Sequence, residues 1–314
     1  MNVGLWERLV AADGAFLTID DLGSDVGDLD ELEALGYAIE RHPYAGVSYR
    51  GPSRRLVVDQ IERPPTPAHV GRRVAVWSRV GSTNDLAARA ASSRANDGLV
   101  VLAEEQTAGR GSRGRRWVAP AGSSILLSAL LFPPGPLVDA AWLTALGAVA
   151  TAEAVEAVAG LEARIKWPND VRVGGRKVAG VLVERGAAAV IGIGLNVSGE
   201  PGEADPSLAA SAASLESLGS RGLDRSEIAR RLILRLDEHY VRGLAQGPGP
   251  LVAAWRGRLE LMGREVRVET AEGWVEGRLV DIDPSLGLVL EGLGGVRLPL
   301  AGPTVRSLGP LGAS

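Results

Sequence analysis

Cysteine is absent from the 314 residues, which excludes disulfides, thiolate zinc sites and cysteine nucleophiles and fits a reducing compartment such as the cytoplasm. Histidine occurs three times, at His42, His69 and His239, too scattered for a histidine metal cluster or a Ser-His-Asp triad. No apolar run approaches the ~18 residues a membrane span needs, and MNVGLWERLV lacks the layout of a signal peptide. The net charge of −4 supplies no global pull toward nucleic acid. Lysine is scarce too: of 34 basic residues only Lys166 and Lys177 are not arginine. A chain that uses arginine wherever positive charge suffices keeps lysine where a compact ammonium is needed and a planar fork does not fit.

What is present divides into three textures. Residues 1–62 suggest a small helical module with a β tail: LWERLVAA and DLDELEALGY have helical spacing, and AIERHPYAGVSYR reads as a hairpin. Three prolines in ERPPTP mark residues 63–69 as a linker. Residues 70–255 mix strands and helices. RVAVW is a strand, Ser82 or Thr83 caps the helix NDLAARAAS, and GLVVLAEEQ and SSILLSALLF are apolar strands. An amphipathic helix is expected over 139–159, then one hairpin from ARIKWPNDVRV to RKVAGVLVER turning at Gly174-Gly175, the strand AAVIGIGLNV and a helix over 224–244. Short alternating strands fill 256–314 and suggest a small SH3-like barrel.

The chemistry concentrates in AGRGSRGRRW, 108–117, with four arginines and three glycines in ten residues. Its G-x-G-x-x-G spacing demands a helix at the last glycine if it is to hold a dinucleotide. A proline, a glycine and a strand follow instead, with no acidic residue about 20 positions on to take a ribose. A protein kinase is excluded because H-R-D and D-F-G are missing. A solvated basic tip is the plain alternative, but Trp117 is costly on a free loop. A glycine-rich turn whose backbone N–H groups and arginines close on one small anion fits better.

GSTND (81–85), AGRGSRGRRW (108–117), KWPNDVRVGGRKVAGVLVE (166–184) and VIGIGLNV (190–197), in this order, closely resemble the biotin protein ligases. The resemblance spans about 70–308. It implies an α+β fold: a central mixed β-sheet of the biotin/lipoate ligase type, class II synthetase-like, with a winged-helix-like module before it and an SH3-like barrel after it. It implies ATP-dependent activation of biotin to biotinyl-5′-AMP and transfer to a lysine of an apo biotin carboxyl carrier domain, with Mg²⁺ bound through the phosphates, no dedicated metal site and a homodimer. On this resemblance Ser82, Thr83, Asn84 and Gln106 line the biotin head; Arg110, Gly111 and Ser112 fold over the carboxylate; Gly180 and Glu184 lie beneath the pocket. Lys166 and Arg110 are the expected catalytic cations. Arg113, Arg115, Trp117, Asn169, Asp170 and Asn196 are expected at the nucleotide, and Lys177 as support.

Two departures stand out. Ser112 occupies a position where the family often has arginine, which implies weaker closure and faster leakage of the adenylate. Residues 18–35 carry seven acidic and no basic side chains, so a DNA-binding role for the first module is disfavoured, although Arg41, Arg50, Arg54 and Arg55 form a modest basic tail. A lipoate ligase of the same fold and an added repressor activity are the alternatives. A non-catalytic carrier-binding module is disfavoured by Lys166 and the arginine loop.

Overall fold

The computed structural model describes residues 1–283 and 287–312. The first module comprises α1 (Val3–Ala11), α2 (Ile19–Leu22), α3 (Leu29–Ala34) and the hairpin β1 (Ala38–His42)–β2 (Gly46–Gly51). Leu5, Trp6, Leu9, Leu29, Leu32 and Tyr37 close its own small core. α3 ends after six residues, with Asp30, Glu31 and Glu33 on its surface. Arg41 pairs with Asp30 and Glu33, and Arg50 with Glu40, so half of the expected basic tail is neutralised in place.

The Pro-rich segment is not a free tether. α4 (Val58–Ile61) precedes it, and Leu56 and Ile61 already belong to the main core. Arg63 bridges Glu7 (3.0 Å) and Glu227 (2.6 Å), and Asp237 accepts the backbone N–H groups of Ala68, His69 and Val70 at 2.7 Å. The buried Arg225 donates to the carbonyl of Ser124 (3.1 Å) and to Glu104 (2.6 Å), whose other oxygen takes the N–H of Leu56 (2.6 Å). The prolines lie in a segment bonded at both ends, at residues 63–64 and at 68–70.

The main region follows as β3 (Arg73–Trp77), α5 (Thr83–Ala90), β4 (Leu99–Ala103), β5 (Ser124–Leu131), α6 (Ala140–Ala159), β6 (Ala163–Lys166), β7 (Asp170–Val173), β8 (Arg176–Arg185), β9 (Ala189–Asn196), α7 (Pro201–Ala204), α8 (Arg225–Gln246) and α9 (Gly249–Arg258). Its seven strands run in the order β3-β4-β5-β9-β8-β7-β6; β3 and β4 are parallel, the other neighbours antiparallel. The single hairpin expected around 163–185 is two. Trp167-Pro168-Asn169 turns β6 into β7, because proline cannot continue a ladder, and Gly174-Gly175 turns β7 into β8 with φ of 55° and 79°.

Alternation along the strands separates two faces. Ile125, Leu127, Ile191 and Ile193 join the core under α6 and α8, whereas Val101, Leu130 and Val190 pack with Ala87 of α5 on the other side. α6 is not amphipathic as expected: twelve of its twenty residues are buried. It is long and apolar enough to cross a membrane, which corrects the reading that no such run exists, but it is the core helix of this sheet. Each large side chain it buries, Trp142 and Leu146 among them, contributes about 1.5–3 kcal/mol of transfer free energy.

A five-stranded antiparallel sheet completes the chain: β10 (Glu265–Thr270), β11 (Gly273–Asp283), β12 (Gly287–Glu291), β13 (Arg297–Leu300) and β14 (Val305–Pro310), ordered β13-β12-β11-β10-β14. Val266, Leu279, Ile282, Leu288 and Leu308 share the main core, and α9 runs across the expected boundary at 255/256.

Candidate active site

On the α5 face, residue alternation along β9 places Gly192, Gly194 and Asn196 in line with Val190. Gly180 of β8 is the register partner of Gly194. A Cβ on Gly194 would stand 2.3 Å from the Trp117 ring, and one on Gly180 would stand 3.3 Å from it. The paired glycines therefore make a bare floor on which the indole lies, with the Lys177 ammonium 5.7 Å from the ring centroid. Two residues along, a Cβ on Gly192 would meet the Asn84 amide at 2.3 Å. These glycines shape a cavity of about 260 Å³ over the sheet, lined by Ser82, Thr83, Asn84, Gln106, Arg110, Gly111, Ser112, Arg115, Trp117, Lys166, Asn169, Asp170, Gly180 and Asn196. Of the expected site residues, Arg113 and Glu184 are not among its lining.

One end of the cavity is polar and tightly wired. Ser82 occupies the N-cap position of α5 but its hydroxyl makes no capping bond, contrary to the sequence reading. Gln106 does that work from another segment: its Oε1 takes the Thr83 N–H at 2.7 Å and the Thr83 hydroxyl at 3.0 Å. Because Oε1 must face that N–H, the Gln106 Nε2 donor is left for the cavity. Ser128, buried in β5, lies 2.7 Å from Thr83 Oγ1 and 2.5 Å from Asn84 Oδ1, while Asn84 Nδ2 donates to Glu184 at 2.7 Å. Ser128 and Gly192 were missed in the sequence. The alternation of VIGIGLNV is a local signal for the glycine, but no local signal marks the serine.

The arginine loop holds its own shape. Gly111 N–H bonds to Arg115 O at 2.7 Å and Trp117 N–H to Gly109 O at 3.0 Å, so a Cβ on Gly109 would strike the Trp117 carbonyl at 2.4 Å. Several loop amides are thus spent internally rather than converging as the expected nest. The Arg110 guanidinium, expected as a catalytic cation, is already committed: it donates to Asp85 at 2.7 and 3.1 Å and to Glu184 at 3.0 and 3.1 Å. Its hydrogen bond holds the Asp85 carboxyl below the ordinary range. Burial pushes the Glu184 carboxyl up, but bonds from Arg110 and Asn84 outweigh it and leave it lowered. Ser112 Oγ accepts from Arg115 at 3.0 Å, within the loop.

The remaining cations differ in their freedom. Lys177 pairs with Asp170 at 2.6 Å and Arg172 with Glu260 at 3.0 Å. Lys166, the register partner of Asp170, pairs with no carboxylate among the described residues. Asn169 is fastened to β8, its side chain donating to Val181 O at 2.8 Å, and Asn196 donates to Ala213 O at 3.2 Å. The Trp117 indole N–H is shielded from solvent and has no acceptor among the described residues. A polar pit, a flat aromatic and an uncompensated ammonium share one cavity, an arrangement suited to a small acid and a nucleotide.

Comparison with known proteins agrees. The model of the Biotin/lipoate A/B protein ligase family matches residues 76–197. The biotin–[acetyl-CoA-carboxylase] ligase of Mycobacterium tuberculosis is 40% identical over 242 residues, covering 75% of this chain and 89% of that protein. The bifunctional ligase/repressor BirA of Bacillus subtilis (strain 168) is 30% identical over 275 residues, covering 86% of this chain and 85% of its own. The chain belongs to the biotin protein ligase family. The family fold extends to solved structures: the Aquifex aeolicus biotin protein ligase in complex with biotin and ATP superposes with a TM-score of 0.65 at 24% identity, over 76% of this chain and 99% of that one. The expected α+β class with its central mixed sheet is the class observed, and its last part is an antiparallel sheet of five strands.

Proposed function

We propose that this protein activates biotin with ATP to biotinyl-5′-AMP and transfers the biotinyl group to a lysine of an apo biotin carboxyl carrier domain in the cytoplasm. The observation that carries the reading is the pairing of a polar pit with an unpaired Lys166 in one cavity. A ureido head offers a carbonyl to Gln106 Nε2 and two N–H groups to the hydroxyl and amide oxygens of the pit. The dithiolane of lipoate offers none, and leaving built polar partners unsatisfied is a strong source of discrimination. This favours biotin over the lipoate alternative.

In the first step the biotin carboxylate attacks the α-phosphate and pyrophosphate leaves. Two anions must approach, so the barrier is electrostatic and positional. Lys166 neutralises the charge that builds between them, with Arg115 on the closing loop beside it. Arg110 acts as a strut tying the loop to α5 and β8 through Asp85 and Glu184, a positioning role in place of the direct one expected. Trp117 on its glycine floor is the surface for the base, with Asn196 and Asp170 at its edge. The described residues include no group of three or more His, Asp or Glu side chains placed to hold a metal, so Mg²⁺ is taken as part of the nucleotide substrate. In the second step the carrier lysine amine attacks the acyl carbonyl and AMP departs. Ser112 in place of an arginine is read as loosening the closed loop and speeding loss of the adenylate.

We place the boundary of the first module near residue 56, where Leu56 enters the main core, and read the module as a winged-helix remnant without DNA binding. The acid-bearing α3 and the neutralised Arg41 support this. The last sheet is assigned the SH3-like role and the central sheet the homodimer contact.

Lys166→Arg tests the mechanism, since it keeps the charge but replaces a compact ammonium with a fork. It should lower biotin-dependent pyrophosphate release on the order of 10²-fold, as loss of a transition-state contact does. Wild-type rates in that variant would remove Lys166 from the mechanism.

A further inference from the structure

A second cleft lies between the arginine loop, the Trp167-Pro168 turn and β14. Arg113 spans it. Asp13 and Arg113 are the described non-glycine residues with left-handed backbone, Arg113 at φ 60° and ψ 39°, a conformation that persists only where the surroundings demand it. Its side chain is held on the far side. The Arg113 guanidinium donates to the carbonyl oxygens of Arg306 and, at 3.4 Å, Val305. Between β10 and β14 the register runs Glu269↔Ser307 and then Thr270↔Val305, so Arg306 is an extra, bulged residue opposite no partner. A bulge leaves its extra residue unpaired in the ladder, and bulges recur beside active sites.

Resting on the reading of the cavity as an adenylating site, we infer that Arg113 is a positioning residue that straps the arginine loop to the last sheet. The strained residue, its charge-assisted bond and the bulge that supplies the acceptor are three features of one device. Through it the placement of Ser112 and Arg115 over the cavity depends on β14, whose Val305 lies 192 residues from Arg113 in the chain. Retention of the activated acid then depends on β14 as well.

The test uses the full chain. Arg113→Asn tolerates the left-handed backbone but cannot reach β14, and Arg113→Lys keeps reach and charge. Amide exchange without any ligand should rise about tenfold at both 109–117 and 304–308 in Arg113→Asn, and be largely rescued in Arg113→Lys, as expected for losing a charge-assisted bond. Release of preformed biotinyl-AMP should quicken by a similar factor in Arg113→Asn. Unchanged exchange at both segments, or a rise in the loop with β14 unmoved, would overturn the strap. Changed exchange in a protein whose wild type forms no adenylate would leave the strap standing and overturn the functional reading instead.

Discussion

Gly194→Ala adds one methyl group at the place where the cavity has no room for it. The new Cβ would stand 2.3, 2.6 and 2.8 Å from three atoms of the Trp117 indole. Ordinary contact begins near 3.4 Å, so the ring must move by about 1.1 Å into the cavity. Such overpacking costs about 1–3 kcal/mol. The strand is held on both sides by β5 and β8, so the ring yields rather than the backbone. If that cost falls on nucleotide binding, kcat/KM for ATP drops about 5- to 150-fold, at 1.36 kcal/mol for each factor of ten. Gly180→Ala is the internal control. Its Cβ meets the ring at 3.3 Å and the mobile end of Lys177 at 3.0 Å, so its effect should be smaller. The assay is biotin-dependent pyrophosphate release at varied ATP, with the melting temperature measured alongside. Gly194→Ala at wild-type kcat/KM, or Gly180→Ala the worse of the two, would refute the glycine-floor reasoning.

The loop strut should be sensitive to acid. Asp85 and Glu184 have lowered values in the folded protein, so their contribution is present above the ordinary carboxylate range and is lost as pH falls through the lowered values. Protection factors of the 109–117 amides should therefore stay level from pH ~7 to ~5 and fall below pH ~4 while those of β5 hold; loop protection unchanged at pH ~3 would count against the strut. A gel shift with the biotin-operon promoter region, run with biotin and ATP, should show no specific retardation; a specific complex would restore the repressor reading.

Much of this site is carried by local chemistry and was legible as such. The arginine loop and the strand after it are contiguous patterns, and the loop and Lys166, which the resemblance put at the site, line one cavity. The partners of Arg110 were not legible, because Asp85 and Glu184 lie 25 and 74 residues from it and only the fold joins them. Gly192 and Gly194 look like weak points in a strand until register sets them beneath Asn84 and Trp117. α9 was hidden because GPLVAAWRGR opens on a helix-breaking pair; Leu251, Val252 and Trp255 hold it by burial rather than propensity. β14 ends on Gly309-Pro310, which its edge position tolerates. The apolar periphery of α6 defeated the amphipathic expectation because α8, α9 and the sheet cover it from several sides.

On the proposed function this cavity reads a ureido acid and passes it to a protein lysine. Incubation with ATP and Mg²⁺, an apo biotin carboxyl carrier domain and either biotin or lipoate, followed by intact-mass measurement of the carrier, tests it directly. One biotinyl addition per carrier is expected with biotin and none with lipoate. Labelling by lipoate alone, or no labelling with biotin, would contradict it.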